Sequence, residues 1–209
     1  MGQSYVFSTT NNPSLIYPDI AYVDTNAVVE IIFNRTFQSQ VTDFFMESAK
    51  RNNILVYSDH VLDEIIDCLQ TEILKEEATA NGFVPNKSLK MPLYKQYESS
   101  SGVNVGPKVS SKFCEVVDLL GAGSNVFYKL ESPPAHILRF KTDRYIHHGI
   151  SPKDAKHLAI AHYHKINNIF TLDGGMTKAP DFNVYGPNRS VTKHSTSGNS
   201  PLAFSDVIP

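Results

Sequence analysis

The chain has 209 residues. That exceeds the ~100–200 residues of one domain without clearly making two, so one domain with added pieces is expected. Hydrophobic residues at 41% and charged residues at 19% exclude wholesale disorder. A net charge of −2 leaves any nucleic-acid contact to local basic patches. Two cysteines, Cys68 and Cys114, exclude a disulfide scaffold and a CxxC metal site. No apolar run reaches the ~18 residues of a membrane span, and the N-terminus has no basic flank and no long apolar segment of a signal peptide. The expectation is a soluble cytoplasmic protein.

Residues 1–18 are polar with Pro13 and Pro18 and read as an irregular arm. Ile20 to Val23 is a short β-prone run that stops at Asp24. Asn26 to Phe33 and Thr36 to Arg51 read as two helices, the second with Phe37, Val41, Phe44, Phe45 and Ser48 at helical spacing. Ile54 to Tyr57 reads as a second buried strand. A long helix is expected from about Ser58 to Ala80, striped by Val61, Leu62, Ile65, Ile66, Leu69 and Ile73.

The pattern then breaks. Residues 81–112 hold Gly82, Pro85, Pro92, Gly102, Gly106 and Pro107 without any period, as expected of a loop insertion. A helix over Ser110–Leu120 and a strand over Val126–Leu130 follow. Pro134 opens a helix to about His148, and Ser151-Pro152 opens another to Asn167. Ile169 to Leu172 reads as a strand ending at Asp173, and Phe182 to Tyr185 as a last one. Residues 188–209 read as a polar tail. Continuous apolar strands alternating with helices predict an α/β protein: helices on both faces of a mostly parallel sheet. In such folds ligands bind at the carboxyl ends of the strands.

Two of these strands end in an acid, Asp24 and Asp173, which as parallel neighbours would face one crevice. Each is also a good helix N-cap. Asp154 sits in an ideal helix opening and projects on the side of Leu158 and Ala161, so it either caps or lines a cleft. Glu64 lies about 140° off the apolar stripe of its helix, where a glutamate is usually solvated. Clustered carboxylates need a cation, and an all-oxygen site suits Mg²⁺ or Mn²⁺. The histidines read mostly as structural: His157 and His164 on the polar face of their helix with Lys153, and His162 nearer the sheet; His60, one turn before Glu64, could touch the site but is not the favoured candidate. There is no P-loop, no G-x-G-x-x-G and no G-x-S-x-G.

These residues resemble the PIN-domain ribonucleases. Val23-Asp24-Thr25-Asn26 is similar to the family's first strand-end motif. Ser58 with Glu64 six residues on is similar to the second. Asp154-Ala155 followed by a small apolar helix is similar to the third, and Thr171-Leu172-Asp173 to the fourth. Order and spacing agree over roughly 20–80 and 126–187; the family so resembled includes toxin subunits of toxin–antitoxin pairs, which are typically about the length of that matched core, and RNA-processing nucleases. Gly174-Gly175-Met176 departs from the family's usual polar-aromatic continuation.

The resemblance implies a three-layer α/β/α fold and a single domain over 19–187. It implies that Asp24, Glu64, Asp154 and Asp173 hold Mg²⁺ or Mn²⁺, oriented by Asn26 and Thr171. The activity implied is metal-dependent cleavage of RNA, with an antitoxin-like partner and a homodimer as further expectations. The insertion carries Lys87, Lys90, Lys95, Lys108 and Lys112 against Glu98, with Phe83, Tyr94 and Tyr97. Lysines neutralise phosphates and aromatics stack on unpaired bases, so Lys87, Lys90, Tyr94 and Lys95 are candidate RNA contacts; a solvated loop is the plainer reading. Two other readings compete. One is a non-catalytic PIN-like module that binds RNA or protein. The other, a hydrolase with Asp24 as covalent nucleophile, wants an aspartate where Asn26 stands.

Overall fold

A computed structural model describes residues 4–7, 17–122 and 125–187; the expected tail at 188–209 lies outside them. Six strands form one sheet: β1 (Ser4–Phe7), β2 (Ile20–Val23), β3 (Ile54–Ser58), β4 (Phe127–Leu130), β5 (Asn168–Phe170) and β6 (Asn183–Pro187). Their order is β1-β6-β5-β2-β3-β4, and every neighbouring pair is parallel. Helices α1 (Thr25–Ile32) and α2 (Gln38–Lys50) join β2 to β3. Helices α3 (Asp59–Ala80), α4 (Leu93–Ser101) and α5 (Gly106–Ala122) join β3 to β4. Helices α6 (Ala135–His147) and α7 (Pro152–Tyr163) join β4 to β5.

The strand order dictates the layers. The chain steps from β2 to β3 to β4 in one direction, then returns across the sheet to β5 on the other side of β2. Parallel crossovers are right-handed. Reversing direction therefore moves the helices to the opposite face, with α1 to α5 on one side and α6 and α7 on the other. The result is the expected three-layer α/β/α architecture. The order reverses between β2 and β5, and the carboxyl ends of these strands open the crevice where such sheets bind ligands.

Side chains alternate across the central strands accordingly. Phe170 stacks on Phe44 of α2 at 4.2 Å between ring centroids, and Phe44 stacks on Tyr17 at 5.3 Å. On the opposite face Tyr22 reaches His157 of α7. Tyr22, Leu55, Phe170, Leu69 and Leu158 are fully buried in one continuous core.

Two expectations are corrected. Residues 4–7 of the expected irregular arm form edge strand β1, paired in register with Ser4 opposite Val184 and Phe7 opposite Pro187. The 81–112 segment is not a loop throughout. It contains α4 and the first turns of α5, and these pack on the C-terminal half of α3. Ile73, Leu74, Ala78, Tyr97 and Val105 make a second small core there, with Phe83, Leu93 and Tyr94 against it. Gly102 ends α4 at φ 64°, a left-handed conformation that glycine adopts without strain. Among the described residues no helix is long and apolar enough to cross a membrane.

Candidate metal centre

The ends of β2 and β5 are tied through one hydroxyl. Asp24 follows β2 directly, and its backbone N–H donates to the Phe170 carbonyl at 3.0 Å. The Thr171 hydroxyl donates to Asp24 Oδ2 at 2.6 Å. Thr171 Oγ1 itself accepts from Asn26 Nδ2 at 3.2 Å and from the Asp173 backbone N–H at 2.9 Å. Asn26 closes the loop by accepting from the Leu172 N–H at 2.9 Å. Thr171 is fully buried and its hydroxyl is saturated, with one proton given and two received. The expected supporting pair, Asn26 and Thr171, thus stands between Asp24 and Asp173.

Asp24 is 3% exposed. Its Oδ1 accepts from the Thr25 N–H at 2.7 Å, so it also caps α1. Burial pushes its carboxyl above the ordinary value; the His157 charge and the Thr171 hydrogen bond oppose this without cancelling it. A carboxylate held this way is costly unless a cation joins it.

Glu64 arrives from the second turn of α3. Its Oε2 accepts from the Thr25 hydroxyl at 2.9 Å and lies 2.9 Å from His157 Nε2. Its side chain is 13% exposed, not solvated as its position off the apolar stripe suggests, because Thr25 of α1 and His157 of α7 both reach it. Burial alone would raise the Glu64 carboxyl. Hydrogen bonds from His157 and Thr25, with the charges of His157 and His60, outweigh it and bring it down to about 2.

Asp154 opens α7 in a capping arrangement: Ser151 Oγ donates to Asp154 Oδ2 at 2.6 Å and accepts from the Asp154 N–H at 3.2 Å. Burial raises its carboxyl, the Ser151 bond lowers it, and the charges of Asp173 and Glu64 raise it further. Asp173 is exposed and accepts from the Gly175 N–H at 2.7 Å, capping a single 3-10 turn over Gly174–Lys178. All four acids therefore lie at the carboxyl edge, but among the described residues only Glu64 of the four belongs to a group at metal-ligand spacing, with His60 and His157. Asp24 and Glu64 lie deep, whereas Asp154 and Asp173 lie at the mouth and double as caps.

The histidines overturn the sequence reading. His157 is 1% exposed and belongs to the centre, not to a polar face. Residues Ala155 and His157 through Ala161 are all buried, because α7 is covered by both the sheet and α6; a helix enclosed in this way has no polar face at that position. His157 Nδ1 pairs with the Tyr22 hydroxyl at 3.0 Å, which pairs with Ser58 Oγ at 2.6 Å. Ser58 sits at the N-cap of α3 yet spends its hydroxyl on Tyr22 rather than on the helix. Burial would lower the His157 imidazole, but the Glu64 bond and the charges of Asp24, Glu64 and Asp154 leave it raised.

His60 stacks on His157 with ring centroids 4.5 Å apart, and its Nε2 lies 3.6 Å from Glu64 Oε1. Both of those atoms are buried and lack a hydrogen-bond partner. Burial, then the charge of His157, brings His60 down to about 4, so its lone pair is free near neutral pH. Two buried polar atoms that face each other across 3.6 Å without partners are atoms that a divalent cation could join. The donor set fits a divalent metal on that ground. One ligand atom from each of His60, Glu64 and His157 lies within 4.8 Å of the others.

The basic residues of 81–112 lie elsewhere. Lys87, Lys90 and Lys95 are exposed, while Lys108 pairs with Glu77 and Lys112 with Glu115. Tyr94 and Tyr97, candidates for stacking on bases, pack into the second core, where Tyr97 meets Phe83 edge-on at 5.3 Å. That core begins nine residues beyond Glu64, roughly 13 Å along α3.

Fold and edge together define an α/β/α protein with an acidic, histidine-lined crevice at the switch point of a parallel sheet. No protein-family model matches the sequence, and no curated protein matches it. The chain is similar, at low identity, to solved structures. One is VapBC2 from Rickettsia felis, bound to a DNA fragment from their promoter: 14% identity and TM-score 0.49, over 80% of this chain and 98% of that one. Another is PAE2754 from Pyrobaculum aerophilum: 16% identity and TM-score 0.41, over 90% of this chain and 99% of that one.

Proposed function

We propose that the chain is a metal-dependent endoribonuclease of the PIN type that hydrolyses RNA phosphodiester bonds with water. The observation that carries this reading is the presence of Asp24, Glu64, Asp154 and Asp173 at one sheet edge, with buried polar atoms of His60 and Glu64 at its floor left without hydrogen-bond partners. Mg²⁺ or Mn²⁺ held there would acidify a water and neutralise charge on the cleaved phosphate. Asp24 and Glu64 are the deep ligands, and Asp154 and Asp173 complete the set at the mouth. Thr171 and Asn26 hold Asp24 in place. A groove lined by Asn26, Arg35, Thr36, Leu172 and Asp173 adjoins the centre and offers a path for a single strand. Lys87, Lys90 and Lys95 would meet phosphates several nucleotides away.

One observation favours a second reading, a binding module for RNA or a protein partner such as an antitoxin. Asp154 and Asp173 already have structural work as caps, so their presence does not by itself demand a metal. The test is incubation of the purified chain with labelled RNA of mixed structure, with Mn²⁺ or Mg²⁺ against EDTA, beside Asp24→Asn and Asp173→Asn. Metal-dependent cleavage that falls at least 100-fold in both variants is expected. Full activity in both variants would remove the assigned centre. A folded chain that binds RNA, ignores metal and cuts nothing is the binding module.

A further inference from the structure

The floor of the crevice is richer in nitrogen than an acidic centre requires. His60 and Glu64 are four residues apart on α3, which puts them on one face. His60 Nε2 faces Glu64 Oε1 at 3.6 Å, and His157 Nε2 lies 2.9 Å from Glu64 Oε2 and 3.4 Å from Asp24 Oδ1. Ligands about 2.1 Å from a metal lie roughly 3.0 Å apart when octahedral and 3.4 Å apart when tetrahedral, so these spacings suit a shared ion.

The rings are also held in place. His157 Nδ1 rests on the Tyr22 hydroxyl, which is in turn held by Ser58. His60 stacks on His157 with ring centroids 4.5 Å apart, and its Nε2 has no hydrogen-bond partner. Metal-binding imidazoles are oriented from the far nitrogen in this way; His157 Nε2, which here hydrogen-bonds Glu64 Oε2, would give up its proton on binding an ion. The Lys153 ammonium lies 3.8 Å from Glu64 Oε1 on a side chain that is 71% exposed, too distant to satisfy that oxygen.

Imidazole nitrogen suits first-row transition metals, whereas Mg²⁺ keeps oxygen ligands and waters. We propose that His60 and His157 supply nitrogen ligands beside Glu64, so that the centre takes a transition-metal dication such as Mn²⁺, Co²⁺ or Zn²⁺ in preference to Mg²⁺. The proposal deepens the nuclease reading, since it uses the same crevice, but its test does not depend on cleavage.

The full chain is stripped with chelator and titrated calorimetrically with Co²⁺ and with Mg²⁺. It is then loaded with Mn²⁺ for pulsed electron paramagnetic resonance, which detects directly bound imidazole nitrogen. The expected results are Co²⁺ binding at least 100-fold tighter than Mg²⁺ and a nitrogen coupling in the wild-type spectrum. His60→Gln should weaken Co²⁺ at least tenfold and diminish that coupling. The wild-type spectrum stands even where His60→Gln does not fold.

Bound Mn²⁺ without nitrogen coupling, Mg²⁺ binding as tight as Co²⁺, no binding of any ion, or a coupling unchanged in folded His60→Gln would each overturn the proposal. Nitrogen coupling without RNA cleavage would sink the nuclease reading and leave this one standing. Cleavage supported by Mg²⁺ with no nitrogen coupling would do the reverse.

Discussion

At the scale of single residues, Thr171 decides whether the crevice is held in shape. Its hydroxyl gives one proton to Asp24 and takes two hydrogen bonds, from Asn26 and from the Asp173 backbone. Thr171→Val keeps the volume and removes all three partners' match at once. A buried polar group left without its partner costs about 1–3 kcal/mol, so Thr171→Val is expected to lose stability in that range in urea titrations, and Thr171→Ser much less. Equal stability for wild type and Val would mean that Asp24 finds other donors. The residue scale also shows what was legible. Asp24 and Asp173 announced themselves because each ends an apolar β run, and Asp154 because its capping box is local. His157 did not, because its burial is set by α6 and the sheet closing over α7, and neither is written within seven residues of it. A signal for His60 was present: a histidine one turn before a glutamate on the same helix face.

At the scale of elements, the strands were readable as continuous apolar runs, and the long helices as stripes. β1 was not, because four residues flanked by polar sequence take their pairing from β6, some 180 positions away, and strand preference depends on such context. α4 was hidden for another reason. Glycines and prolines punctuate 81–112, and the helix between them is held less by its own pattern than by the far half of α3. Tyr97 is the anchor: it is buried, packs on Phe83 and accepts a hydrogen bond from Asn81 Nδ2 at 3.0 Å. Truncating a buried aromatic costs roughly 3–5 kcal/mol, and here the loss falls on a satellite core. Tyr97→Ala is therefore expected to raise amide exchange across 93–101 while exchange over α1 and β5 stays as in wild type. A uniform rise over the whole chain would show that the extension and the main domain unfold together.

At the scale of the whole molecule, the chain tolerates buried acids at one edge of its sheet. Asp24 and Asp154 are both raised by burial in the folded state. A carboxyl raised on folding favours its protonated form there. These two groups therefore cost the folded state stability as pH climbs through the interval above the ordinary carboxylate value, and they cost nothing well below it. Glu64 is depressed and acts oppositely, adding stability that is lost as pH falls from the usual carboxylate value towards about 2. A dication bound among them relieves the first cost, but only once the protons have left, because metal and proton compete for the same oxygens. Mass action then fixes the size: at a concentration 100-fold above Kd, ligand stabilises by about 2.7 kcal/mol. For a chain of this length that is a rise in Tm of roughly 5–10 °C. Thermal melts with and without Mn²⁺, in steps from pH 4 to pH 8, should show a gap that is near zero at the acid end and widens towards neutrality. The gap should vanish at every pH in Asp24→Asn. A gap of constant width would mean that the ion binds elsewhere on the surface, and the acids of the crevice would then need another explanation.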